Sequence, residues 1–216
     1  MRRLAALWLI ITGMGAAAAG TDNPGRLVFG FAAGGVHSSN DHERWGADGT
    51  GYGYFGEAGY ESTSWLVAPL IQWGYAYASG DVPPWETGGY LEYPSEVKSR
   101  ANTFILGGRV RVPLWRMKLR PYGGGGLAWT RYNRQVLDGV SVLAENESTG
   151  SGYAALAGLE FFPDPARGFS FSLEYRYAAT AQEWLKTPGG IGKSGFDAEF
   201  GLAEQLITLS VKAYAF

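Results

Sequence analysis

The stretch from Phe169 to Ala178, FSFSLEYRYA, decides the fold. Phe169, Phe171, Leu173, Tyr175 and Tyr177 alternate with Ser170, Ser172, Glu174, Arg176 and Ala178. Strict period-two alternation predicts a β-strand with one apolar and one polar face. Its ten residues match the length that a tilted strand needs to cross a bilayer. A soluble, half-buried strand can show this pattern once, so the weight falls on repetition.

The pattern does repeat on both sides. Tyr153, Ala155, Ala157, Leu159 and Phe161 oppose Leu156, Gly158 and Glu160, while Ile207, Leu209, Val211 and Ala213 oppose Thr208, Ser210 and Lys212. Further upstream, 119–130, 103–113, 65–77, 51–61 and 26–36 read the same way, which predicts eight strands. The connections alternate long (37–50, 79–98, 133–149, 180–203) with short (62–64, 113–118, 163–167). Long loops outside and tight turns in the periplasm characterise transmembrane barrels. If the first strand rises outward, Tyr52, Tyr75, Tyr77, Trp129, Tyr153, Tyr175 and Tyr177 fall at the outer rim. Tyr60, Trp65, Trp115, Phe161, Tyr214 and Phe216 fall at the inner rim, giving the two aromatic girdles expected at membrane interfaces.

Composition agrees. The 216 residues include 33 Gly and no Cys, with 15% aromatic and 18% charged residues. Absence of Cys excludes disulfides and Cys-ligated metal. A mean hydropathy of −0.11 is too polar for a bundle of membrane helices. The longest apolar run after the N-terminus, Trp65 to Ile71, is far below the ~20 residues of a spanning helix. Entry into a membrane must then be as a closed barrel, which satisfies every backbone polar group.

The N-terminus reads as an address. Arg2 and Arg3 precede the apolar run Leu4 to Ile11, and Ala17-Ala18-Ala19 supplies the small residues of a cleavage site. This matches a secretory signal peptide over 1–20, with the barrel domain over 21–216. Its removal leaves 16 bases against 20 acids. No Cys follows the cleavage site to take a lipid anchor.

RPYGGGGLAWTRY (Arg120 to Tyr132), GYAALAGLEFFPDPARGFSFSLEYRY (Gly152 to Tyr177) and the terminal Phe216 resemble small bacterial outer-membrane barrels of the OmpA, OmpX and opacity-protein type. The resemblance covers most of the chain as a pattern. It implies an all-β, eight-stranded, antiparallel, up-and-down transmembrane barrel, placed among outer-membrane lipids by the barrel assembly machinery. Tyr214 and Phe216 resemble the C-terminal sorting signal of such proteins. Lys212 and Ser210 depart from it, being polar where the signal prefers apolar residues. Either the last strand carries a bulge or its terminal aromatics lie out of phase.

Assigning faces by parity sends Glu57, Glu61, Glu160 and Glu174 into the lumen with Arg109, Arg111, Arg120, Arg176 and Lys212. Eight strands leave an interior that side chains just fill, so these charges must pair. They form a gated ion path, a proton-linked site or a plug of salt bridges that fixes register, and the plug is the expectation. HSSN (His37 to Asn40) loosely resembles the His-x-Ser-Asn of outer-membrane lipid A deacylases, but it stands at the end of the first strand rather than late in the chain. It is read as surface loop. His37, Asp41, His42, Glu43 and Asp48 lack the spacing of a known metal motif. The Gly run 123–126 lacks the Lys-Ser/Thr of a phosphate loop and belongs to a strand. Neither a cofactor nor nucleic acid is expected.

Function then falls to the long loops, where Trp45, Trp85 and Trp184 could anchor an extracellular partner. The expectation is a non-enzymatic outer-membrane protein that serves envelope integrity or surface binding. A small-solute channel and a lipid A-modifying enzyme are the alternatives.

Overall fold

The computed structural model describes residues 25–40, 49–62, 67–82, 95–111, 118–138, 141–163, 168–184 and 199–215. Eight strands follow in order: β1 (Arg26–Asn40), β2 (Gly49–Glu61), β3 (Val67–Val82), β4 (Ser95–Arg111), β5 (Leu119–Asp138), β6 (Ser141–Phe161), β7 (Phe169–Trp184) and β8 (Glu199–Ala215). Each pairs antiparallel with the next, and β8 closes on β1. The chain is therefore the eight-stranded up-and-down barrel that the alternation predicts. Closure leaves no unpaired sheet edge, the condition for a sheet to lie in hydrocarbon.

Register fixes the width. The paired residues run from Phe29 through Ala58, Ile71, Leu106, Leu127, Tyr153, Ala179 and Ala203 back to β1 at Ser39, ten residues further along. Strand number and stagger together set diameter, and eight strands make an interior that side chains can fill.

Polarity is inside out relative to a soluble globule. Leu209 (71% exposed), Ile207 (61%) and Phe31 (59%) face outward, whereas Arg176 (1%) and Lys212 (0%) are sealed inside. The expected outer-rim aromatics all stand on the outer face, joined by Tyr54 and Trp73. Tyr52 packs on Tyr77 and Tyr54 on Tyr75, each pair with ring centroids 5.4 Å apart. At the inner rim Tyr60 and Phe161 face outward, but Tyr214 does not. It is buried inside against Phe162, their rings 5.6 Å apart. Trp65, Trp115 and Phe216 lie outside the described residues.

The last strand settles its own phase. β8 keeps an unbroken register against β1 to Ala215 and against β7 to Ala213, so it carries no bulge. Tyr214 follows Lys212 onto the inner face. Gly168, with φ of 67°, makes the turn into β7 in a conformation that side chains disfavour, and its carbonyl accepts the Tyr214 amide at 2.7 Å.

The strands run further outward than alternation suggested, which corrects the loop bounds. β1 extends to Asn40, so His37 to Asn40 is strand and not loop, with His37 and Ser39 on the outer face and Ser38 buried. β7 extends to Trp184. The expected loop 133–149 is a β-hairpin, with β5 continuing to Asp138 and β6 beginning at Ser141. A register shift falls between Val136 and Leu137. Above the membrane the outer face meets water, so apolar–polar alternation vanishes while the ladder continues. Outward Asn133 and Gln135 donate to Glu145 at 3.2 Å each, and Arg131 pairs with Glu147.

Candidate functional site

β2, β3, β4, β5, β7 and β8 each send side chains to one cluster in the inner half of the lumen. Parity makes this possible, since every second residue of a strand shares a face. Arg109 on β4 grips the Glu57 carboxylate of β2 through both ends of its guanidinium, Nη1 to Oε1 at 3.1 Å and Nη2 to Oε2 at 2.8 Å. The same Nη2 donates to Glu174 Oε2 on β7 at 3.2 Å. Arg176, two residues along, donates to Glu174 Oε1 at 2.5 Å. Lys212 on β8 lies 3.4 Å from Glu57 Oε1 and donates to the Tyr122 hydroxyl at 3.4 Å. That hydroxyl donates to Glu174 Oε2 at 2.8 Å, and Gln72 Nε2 donates to Glu57 Oε2 at 3.1 Å.

Two carboxylates thus serve three cations, and aromatic faces take up the surplus positive charge. The Arg176 guanidinium lies 3.8 Å from the Phe55 ring centroid. Arg109 and Lys212 stand 4.5 and 4.6 Å from the Tyr122 ring centroid. A ring quadrupole attracts such cations most where water is excluded. Two glycines make room. A Cβ on Gly74 would sit 2.1 Å from the Phe55 ring, and one on Gly158 would sit 2.4 Å from the Tyr122 ring.

Toward the rim where the chain turns from β6 into β7 a second tier follows. Glu160 accepts from Ser170 at 2.5 Å and from the Tyr214 hydroxyl. Arg120, paired with Glu160 in the ladder, lies 4.1 Å from the Phe162 ring centroid. Glu61 is buried at the same end. Toward the outside the interior turns apolar, with Phe55, Tyr132, Leu202 and Leu206 in one buried cluster. Among the described residues a single carboxylate interrupts it, Glu204, which accepts from the Thr103 hydroxyl at 3.0 Å.

The structure thus places Glu57, Glu61, Arg109, Arg120, Glu160, Glu174, Arg176 and Lys212 inside the barrel and joins five of them in the central cluster. Arg111 occupies an inward-phase position of β4, with its side chain outside the described residues. Trp45 and Trp85 lie outside them too. Trp184 belongs to strand β7 rather than a loop, and its side chain is likewise not described. Among the described residues no three His, Asp or Glu side chains converge as metal ligands.

The sequence reading did not single out Phe55, Gln72, Tyr122, Arg134 and Glu204 among the lumen residues. Parity would have found each. Phe55 is in phase with Glu57, Tyr122 with Arg120, Arg134 with Thr130, and Glu204 with Thr208. Arg134 stands beyond the outer girdle, and burial pushes its guanidinium's proton affinity down from the ordinary arginine value.

A closed barrel with a lipid-compatible belt, an outer aromatic girdle and a charged interior defines a small transmembrane barrel of the bacterial outer membrane. The chain belongs to the outer membrane protein beta-barrel domain family, whose pattern matches residues 4–203. Its fold is similar to that of the outer membrane protein AlkL (TM-score 0.53, 16% identity, 92% of this chain and 93% of that one). It also resembles the Neisserial surface protein A (0.49, 15%, 86% and 96%). OprG of Pseudomonas aeruginosa gives similar values (0.49, 14%, 86% and 95%). At such identities the likeness concerns the fold alone. Among curated proteins none matches in sequence.

Proposed function

We propose that this is a non-enzymatic outer-membrane barrel with a closed lumen, which supports envelope integrity or binds surface partners through its outer extension. The Glu57–Arg109–Glu174 cluster carries this reading, since each charge is held by strands from different parts of the wall. Breaking such a buried pair by removing one partner costs about 3–5 kcal/mol, so the plug resists opening. Residues 1–20 serve as the export signal, the barrel assembly machinery inserts the mature chain, and outer-membrane lipids surround it. An extracellular partner would meet the ends of β1–β8 and the segments between them.

Conductance in planar bilayers tests the closed lumen. The wild type is expected to give no steps. Wild-type steps that vanish in Arg109→Ala or Glu174→Ala would make it a small-solute channel instead. Lipid A modification that is lost in His37→Ala and Ser39→Ala would overturn the non-enzymatic part.

A further inference from the structure

The outer mouth of the barrel holds a cation that its neighbours leave unanswered. Arg134, on the inner face of β5, is 3% exposed, and its Nε and Nη2 meet no hydrogen-bond acceptor among the described residues. A buried polar group without a partner is costly, and a buried charge without one more so. The other lumen arginines differ. Arg109 and Arg176 also leave nitrogens unsatisfied, but each spends its charge on a carboxylate. Among the described residues, the polar side chains next to Arg134 on the inner face bond elsewhere. Ser99, its ladder partner on β4, donates to the Ala78 carbonyl at 3.2 Å. Ser148, one inward position below its β6 partner Asn146, donates to Gln182 at 3.2 Å, and Gln182 donates to Thr180 at 2.6 Å.

The two open nitrogens carry the inference. Nε–H and one N–H of Nη2 lie parallel along one edge of the planar guanidinium, the fork that receives two oxygens of a carboxylate or phosphate at once. In Arg176 the open atoms are Nε and Nη1, which do not share an edge. Arg134 stands five residues beyond Trp129 of the outer girdle, about 16 Å further along a strand at ~3.3 Å per residue. Arg134 therefore lies at the level of the outside medium rather than of the hydrocarbon, with its Nε and Nη2 themselves buried. Because Arg134 is on the inner face, a lipid headgroup beside the wall lies on the wrong side of the sheet.

We propose that Arg134 is the anchor of an oxyanion site at the extracellular mouth, which takes the carboxylate or phosphate group of a small soluble ligand through a bidentate fork. This does not depend on whether the lumen conducts, because the site lies outside the central cluster.

Titration of the full-length protein in phosphatidylcholine vesicles with inorganic phosphate and with acetate, against chloride at matched ionic strength, tests it. Calorimetry should show saturable binding of at least one oxyanion and none of chloride. Arg134→Gln, which keeps a neutral donor, should raise the dissociation constant at least tenfold. Arg134→Lys, which keeps the charge and loses the fork, should raise it several-fold. Unfolding in oxyanion-free buffer, where Arg134→Gln should be no less stable than wild type, shows that the variant is folded. Equal binding by wild type and Arg134→Gln, or no saturable binding of either oxyanion, would overturn the site. Competition by lipid A added to the vesicles would place a headgroup phosphate there and overturn the soluble-ligand assignment.

Discussion

Arg109 and Glu57 face each other across the barrel wall's interior with two parallel contacts of 3.1 and 2.8 Å, although 52 residues separate them in sequence. Such a pair says little about net stability, because desolvation offsets much of the attraction. Truncation of one partner is informative. Arg109→Ala and Glu57→Ala should each cost about 3–5 kcal/mol, and the double variant should cost less than their sum. Urea unfolding in lipid vesicles measures this. Strict additivity would mean the two side chains do not interact.

Lys212 should behave differently from its neighbours. It is the third cation on two carboxylates, bonded at 3.4 Å to Glu57 and to Tyr122. Replacing it with Met keeps the apolar stem and removes the surplus charge. Lys212→Met should therefore be the least costly change among Glu57, Arg109, Glu174, Arg176 and Lys212, and within about 1 kcal/mol of wild type given that buried ion groups are often replaceable by apolar ones. A loss as large as that of Arg109→Ala would show that the cluster needs all three cations.

Gly74→Ala tests whether the aromatic platform is fixed. The added methyl would stand 2.1 Å from the Phe55 ring, and the ring is held by Arg176 at 3.8 Å. Overpacking of this kind costs typically about 1–3 kcal/mol. Gly35→Ala, where nothing lies within 4 Å, is the control and should be neutral or better. If unfolding midpoints of the two variants coincide, Phe55 is free to move and the platform is not rigid.

The membrane half of the barrel was legible in the sequence because two solvents act on it. Lipid demands Leu173 and Leu209 on one face, and the lumen demands Glu174 and Lys212 on the other, so hydropathy alternates. Beyond the girdle water bathes the outer face, as at Asn133 and Gln135, and the only remaining signal is an inner face of Tyr132, Arg134 and Val136. That stretch reads as loop unless parity is carried forward from Thr130. The charges of the plug were legible for the same reason. Their partners were not, since no periodicity says that Tyr122 will stand between Arg109 and Lys212, or that Gly158 leaves its space. Tyr214 was misplaced because its residue type suits a girdle while its parity sends it inside.

The lipid face makes a prediction with a depth dependence. Leu209 is 71% exposed and lies between Ile207 and Val211 on the belt. An arginine at the bilayer midplane of a barrel costs roughly 2–4 kcal/mol, falling to about 0–1 near the interface. Leu209→Arg should thus destabilise the inserted barrel by roughly 2–4 kcal/mol, and Ala215→Arg, at the end of β8, by no more than about 1. Equal effects at both positions in a vesicle-based unfolding measurement would place the membrane elsewhere on the wall.

Tyr214 separates a packing role from a girdle role. A girdle tyrosine at the interface is replaceable by Phe at little cost, because its hydroxyl meets water. Here the hydroxyl is inside and donates to the Glu160 carboxylate, which Ser170 also serves. Glu160 is fully buried, so loss of one donor leaves part of its charge unanswered. Hydrogen bonds to charged groups are worth about 1.5–3 kcal/mol, and Tyr214→Phe should lose that much while keeping the ring against Phe162. The midpoint of urea unfolding should fall with its slope unchanged, which marks a loss of stability without a change in the surface exposed. Tyr153→Phe, exposed on the outer face in the opposite girdle, should leave the midpoint where it was. Identical behaviour of the two variants would return Tyr214 to the girdle.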